Sequence, residues 1–348
     1  MGTTPSRSRL SAFLLATASL GVLILGPAWF LRPVDAAQAA KTSQAAGRPA
    51  GENGHGKVPR TPWGHPDLQG AWTNATTTPL ERPAQFAGKE RLTDEERQAL
   101  DARAAQGADR KPRAGDTGAY NSFWLDNGTA LNQTSLIVDP PDGRLPPLTP
   151  DAKKREEALE IARRQPAGSW EDLNLFERCL TRGMPGAMMP GFYNHNYQIL
   201  QTPTYVAFQV EMSGYRIVPI DGRAHVSPAI LQWLGDSRGR WDGDTLVVET
   251  TNLTDRVYER RRSNTVFGGS GQTTMVERFT RVDADTIDYR FTVTDPATFT
   301  RPWTASIPMR KIDSPIFEYG CHEANYSLPN ILRGARLEER EKAAGESR

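Results

Sequence analysis

The chain has 348 residues, 38% hydrophobic and 24% charged, with a formal net charge of +1 at pH 7. That balance excludes the strong positive field by which a protein holds nucleic acid or an anionic membrane surface. The length leaves room for one large domain or two small ones behind an N-terminal leader.

The leader is the first predicted element. Arg7 and Arg9 precede a mostly apolar run from Leu10 to Leu31, and small residues follow at Val34-Asp35-Ala36 and Ala37-Gln38-Ala39. This is the grammar of a signal peptide over 1–39, cleaved after Ala36 or Ala39. The run is also long enough for an uncleaved anchor. Either way the expected location is periplasmic or secreted, with no membrane contact beyond the export signal. Residues 40–58 are rich in Ala, Gly, Gln and Lys and read as a flexible linker. A single domain is expected over 59–334 and a charged C-terminal tail over 335–348.

Within the domain, Gly70-Ala71-Trp72 opens a first strand, and Thr93-Asp94-Glu95-Glu96 is a capping box that starts a helix running to about Ala105. Thr134 to Asp139 has strand character and ends in the turn Asp139-Pro140-Pro141-Asp142-Gly143. Thr149-Pro150 then places an N-cap and an N1 proline ahead of a helix to about 165. Ser169-Trp170-Glu171-Asp172 predicts a shorter helix that carries Cys179. After residue 197 the hydrophobic period changes to two. Strands are predicted at Tyr197–Leu200, Thr204–Val210, Tyr215–Ile220, Met275–Thr280, Thr286–Thr294, Trp303–Arg310 and Phe317–Cys321. Arg240 to Glu249 is a hairpin with an Asp-Gly turn, and Arg281 to Tyr289 repeats its plan. The fold class expected is mainly β: an antiparallel meander closing into a barrel, with helical insertions. The polar segment Asp236-Ser237-Arg238-Gly239-Arg240 is expected to hold one end of it by an Asp–Arg pair, and Arg301-Pro302-Trp303 to open a strand with the tryptophan facing inward.

In an exported chain the only two cysteines, Cys179 and Cys321, are expected to join, with two free thiols as the alternative. The bond would bring the segment Arg178 to Gln198 to the last strand. Glycines and prolines force that segment off a helical path, and irregular paths often carry function. Candidate proton carriers are His195 and His322. Glu318 or Glu323 would assist, and Tyr193 or Tyr197 would stabilise charge. The alternative for Glu318 and Glu323 is a structural ion cluster with Arg178 or Arg182. Met184, Met188, Met189 and Phe192, with Arg178 and Arg182, are the candidate grip on a small hydrophobic ligand. His195, His322 and a carboxylate could hold a metal, but no ligand spacing supports one, and no metal or other cofactor is expected. No P-loop, dinucleotide fingerprint or nucleophile elbow is present. The basic run Arg256 to Arg262 reads as a solvated loop face, or as a gate for an anionic ligand.

The segments Pro66 to Ala75, Val138 to Arg144, Gly239 to Val247 and Thr300 to Thr304 are similar to a large family of uncharacterised exported bacterial proteins. That resemblance implies export and brings no activity. The Gly-x-Trp at 70–72 and the meander separately resemble the lipocalin-like (calycin) barrels, which implies a ligand cavity. A second Gly-x-Trp stands at Gly239-Arg240-Trp241. The function expected is an exported enzyme that binds a terpenoid, steroid or aromatic and moves protons on it without a cofactor, as an isomerase, lyase or cyclase. A non-catalytic periplasmic carrier of a hydrophobic ligand is the alternative, and an envelope-assembly factor is a third.

Overall fold

The computed structural model describes residues 58–108, 121–257 and 269–346. The predicted export signal, nearly all of the linker and residues 258–262 of the basic run lie outside them. Eleven strands and three helices organise the rest. The strands are β1 (Gly70–Thr73), β2 (Ile137–Asp139), β3 (Asn196–Gln201), β4 (Tyr205–Val210), β5 (Gly214–Pro219), β6 (Asp236–Asp242), β7 (Thr245–Thr251), β8 (Thr274–Arg281), β9 (Thr286–Thr294), β10 (Trp303–Ser306) and β11 (Met309–Ile312). The helices are α1 (Asp94–Ala108), α2 (Pro150–Arg163) and α3 (Ser327–Glu346). None of the described helices is long and apolar enough to cross a membrane.

The helix caps are as the sequence dictates. Glu96 N–H donates to Thr93 Oγ1 at 3.3 Å while Thr93 N–H donates to Glu96 Oε2 at 2.8 Å, a reciprocal box that satisfies two orphan donors. Thr149 Oγ1 accepts from Ala152 N–H at 3.2 Å ahead of Pro150. Ser169 and Asp172 also form a capping box, but it holds a single 3-10 turn, Trp170–Asp172, after which Leu173 is extended. Cys179 lies beyond it in a turn, not on a helix, with φ +56°. Helix α3 has no counterpart in the sequence expectation.

All ladders are antiparallel, and the strand order is β5-β4-β3-β1-β11-β9-β8-β7-β6. The sheet is therefore not closed into a barrel: β5 and β6 end the path, and no ladder joins them. β10 lies off this path, between β9 and β2. The predicted strand Trp303–Arg310 divides at Ile307-Pro308, where proline offers no N–H to continue the ladder. The hairpin turn after β6 uses Gly243 and Asp244 as its two loop residues, since Asp242 pairs with Thr245. Phe317–Cys321 is not a strand. Pro315 and the tight turn at Gly320-Cys321, where Cys321 N–H bonds Tyr319 O, keep it out of the sheet.

Inward-facing residues alternate along the strands. Phe208, Phe279, Tyr289, Phe291 and Trp303 form a chain of ring contacts through the core. Trp72 is fully buried. Its Nε1 donates to Leu68 O at 3.0 Å and the Arg281 guanidinium lies 5.1 Å over its ring. Trp303 opens β10 facing inward, while Arg301 pairs with Asp139 at 2.7 Å. Asp236 pairs with Arg238 at 2.7 Å and also with His225.

The gap between β5 and β6 is spanned by side chains. Arg216 of β5 binds both carboxylate oxygens of Glu277 on β8, Ser237 Oγ of β6 at 3.0 Å and Thr250 Oγ1 of β7 at 2.8 Å. Tyr289 of β9 donates its hydroxyl to Glu277 at 3.0 Å. Glu277 is 0% exposed. Burial lowers the Arg216 pKa, but the facing Glu277 carboxylate more than offsets this and holds it above its ordinary value. Gly239 lets β6 approach, because a Cβ there would lie 2.6 Å from Ile220 Cγ2 and 3.0 Å from Val218 Cγ1. Arg216→Leu should cost about 3–5 kcal/mol by stranding Glu277 in the core, and Arg216→Leu/Glu277→Leu should recover most of that loss. Urea unfolding of the two variants measures both effects.

Candidate functional site

The predicted disulfide is present. Cys179 and Cys321, 142 residues apart, lie with Cα atoms 5.6 Å from each other. A cross-link over a loop this long restricts the unfolded chain by about 4–5 kcal/mol in the chain-entropy account. Asn325 Nδ2 reinforces the junction by donating to Glu177 O at 3.2 Å and to Cys179 Sγ at 3.3 Å. The bond ties the 313–326 segment to the start of the irregular run 183–195.

That run folds inward. Met184, Met188 and Met189 are buried in the hydrophobic core rather than offered to a ligand. Their main chain is held from β1, since Asn74 Nδ2 donates to Met188 O at 2.9 Å. Tyr197, buried on β3, directs its hydroxyl to Asn74 Oδ1 at 3.3 Å and to Met189 O at 3.4 Å. Burial pushes its phenol pKa well up, so it is a neutral hydroxyl.

His195 stands edge-on to Tyr197, ring centroids 5.4 Å apart, and is 4% exposed. Both of its ring nitrogens are buried without a hydrogen-bond partner. Burial, then the neighbouring Arg182 charge, pushes its pKa down to about 3, with main-chain groups of Met189 and Ala187 acting in the opposite direction. The imidazole is therefore neutral at ordinary pH; the Met189 and Ala187 main-chain groups lie close to it, but neither ring nitrogen makes a well-formed hydrogen bond among the described residues. Gly191 makes room for it: a Cβ there would fall 2.5 Å from His195 Cβ and 3.2 Å from Arg182 Nη1.

Arg182 completes the group. Its guanidinium stacks 4.9 Å over the Phe176 ring, and its other electrostatic neighbours are His195, Tyr197 and Tyr319. No carboxylate is among them. Burial lowers its pKa, partly offset by Tyr197 and Tyr319. Arg182 is half-buried, and no carboxylate pairs with it among the described residues, so it presents an unpaired positive charge to the imidazole.

The structure thus brings together Arg182, His195 and Tyr197 of the predicted residues. It does not bring His322, Glu318 or Glu323 to them. All three are exposed, and none is among the groups acting on His195. With no strand at 317–321, the parity that would have aligned Glu318 with His322 does not exist; the Glu323 carboxylate instead folds against Gly320. Tyr193 is of intermediate exposure. Arg178 stacks 4.7 Å from the Trp170 ring centroid. Among the described residues no three His, Cys, Asp or Glu side chains group as metal ligands.

Exposed aromatic residues stand on the chain segments that carry this group. Phe192 is exposed, and its carbonyl accepts from Asp126 N–H at 2.8 Å, which brings the exposed Phe123 and Trp124 loop to it. Phe317 is exposed, and its N–H reaches Glu211, whose other oxygen accepts from Asn196 N–H at 3.2 Å. Sequence reasoning missed Asn74 and Tyr319. Tyr319 could have been found from its place two residues before Cys321; Asn74 carries no sequence signal.

Because His195 is neutral when folded and takes up a proton below about 6.5 when unfolded, its contribution to stability is full above that pH and falls away as the pH drops toward 3. His195→Leu should flatten the stability–pH curve across that window by about 1.4 kcal/mol per pH unit, read from urea unfolding at a series of pH values. Comparison with protein-family models, curated proteins and solved structures finds no match for the chain, so the chemistry of this site stands on its geometry.

Proposed function

We propose that the chain is an exported enzyme that binds a small, largely apolar carbonyl compound at Arg182 and His195 and moves a proton on it without a cofactor. The observation that carries this reading is the pairing, among the described residues, of a half-buried guanidinium with no carboxylate beside it and a buried imidazole with no well-formed hydrogen bond. The disulfide and the leader sequence support an oxidising compartment. In this reading the ligand is held beside the 183–195 run, with its apolar body against the aromatic rim, in place of a barrel cavity.

The chemistry follows from the charges. The acceptor nitrogen of neutral His195 takes a proton from the carbon next to the carbonyl. The electron pair moves onto oxygen, and Arg182 faces the resulting enolate. That negative charge offsets the Arg182 field, which is one cause of the depressed His195 pKa, so the imidazolium becomes tolerable only once the enolate has formed. Return of the proton to a different carbon gives an isomer. Tyr197 and Asn74 hold the Met188–Met189 main chain against which His195 packs.

Decanoate serves as a stable mimic of the enolate. It should bind at least about ten-fold more tightly than decanol, and Arg182→Gln should abolish the preference. Wild-type protein should also catalyse α-hydrogen exchange of 2-decanone in D2O, followed by NMR, and His195→Gln should abolish it with the thermal midpoint retained. Anion-selective binding with no exchange would favour the non-catalytic carrier. Equal binding of decanol and decanoate would contradict the site itself.

A further inference from the structure

A second concavity, a groove of about 1040 Å³, opens between α1, residues 129–138 leading into β2, and the junction of β9 with β10 and β11. It shares no lining residue with the Arg182–His195 site. Five guanidinium groups border it: Arg82, Arg91, Arg97, Arg290 and Arg310. Three carboxylates, Glu90, Asp94 and Asp101, face them.

The charges do not cancel within the groove. Asp94 pairs with Arg97, while Arg290 pairs with Asp288 beside the groove. Asp101 accepts from the Thr77 hydroxyl and the Ala130 N–H instead of from an arginine. Arg310 donates to the neutral Thr129 Oγ1 at 3.1 Å. Arg82, only 8% exposed, is fixed by two neutral oxygens, Thr134 Oγ1 at 2.9 Å and Pro141 O at 3.0 Å. Arg82, Arg91 and Arg310 thus ion-pair with no carboxylate among the described residues. The Nε of Arg97 is buried with no partner. A positioned, buried guanidinium without a counterion beside two more at the surface suits an oxyanion.

The neutral lining narrows the class. Gln98, Asn132, Gln133 and Thr129 supply amides and hydroxyls, and among the described residues no aromatic ring borders the groove. Such a surface hydrogen-bonds hydroxyl groups and gives a flat apolar ligand nothing to stack on. We propose that this groove is a second binding site, for a polyhydroxylated anion: an acidic saccharide bearing carboxylate or phosphate groups.

Titration calorimetry on the full chain tests it, with tetragalacturonate as the carboxylated probe, mannose 6-phosphate as the phosphorylated one and maltotetraose as the neutral control. At least one acidic probe should bind and maltotetraose should not. Arg91→Gln/Arg310→Gln should weaken binding about ten-fold or more, while Arg182→Gln leaves it unchanged. The relative affinities of the two acidic probes identify which acid group is read. Should the double variant lose its fold, Arg91→Glu, at an exposed side chain, gives the same reading. The proposal is overturned if neither acidic probe binds, if maltotetraose binds as tightly, or if the arginine variants bind as well as the wild type.

Discussion

The ion pair between Arg216 and Glu277 does with side chains what the backbone of this sheet leaves undone. The strand path runs from β5 to β6 without a closing ladder, so the curled sheet has two free ends. Arg216 reaches from one end to β6, β7 and β8, and Tyr289 adds β9 through the same carboxylate. Every hydrogen-bonding arm of this network that the core encloses has a partner. Its net stabilisation is small, since desolvation of two charges cancels most of their attraction. Its value is geometric: only one approach of β5 to β6 satisfies both charges, and Gly239 permits that approach.

Arg182 is the counterpart that makes the site legible. Arg216 is buried and Arg182 half-buried, and both lie against aromatic rings. One has a carboxylate and a set of hydroxyls; the other has, among the described residues, a ring, two phenols and a neutral imidazole whose protonation its charge opposes. A fold able to complete Arg216 so fully has left Arg182 and His195 incomplete at the end of the sheet where the disulfide gathers its loops. The tie at Cys179–Cys321 matters there because Tyr319, two residues from the bridge, is one of the groups that face Arg182.

Most of the sheet was legible in the sequence because period-two patterning survives wherever one face is buried. The caps at Thr93 and Thr149 were legible because they are local chemistry. The strand at Phe317–Cys321 was misread: Phe317 and Tyr319 are spaced as residues on one strand face, yet Phe317 is exposed while Tyr319 faces Arg182. Closure of the barrel could not be read, because no local pattern says whether two end strands will pair. The Arg216–Glu277 pair was readable in principle. Arg216 shares its face with Val218, and Glu277 stands between Met275 and Phe279 on a face that ends in Arg281, so each carries a charge into an apolar stretch. At the site, the cysteines pointed to the correct loops and the wrong histidine partner. A cross-link fixes two Cα atoms, not the direction of the next side chain, and His322 turns to solvent.

A crystal structure of the wild-type protein grown with decanoate is the most direct measurement of whether Arg182 and His195 await an external oxyanion. The carboxylate should lie within hydrogen-bond distance of the Arg182 guanidinium, with one His195 nitrogen turned to the carbon beside it. Ordered water on both His195 nitrogens with the carboxylate elsewhere would show that the imidazole is a hydrated core residue, and the central claim would fail.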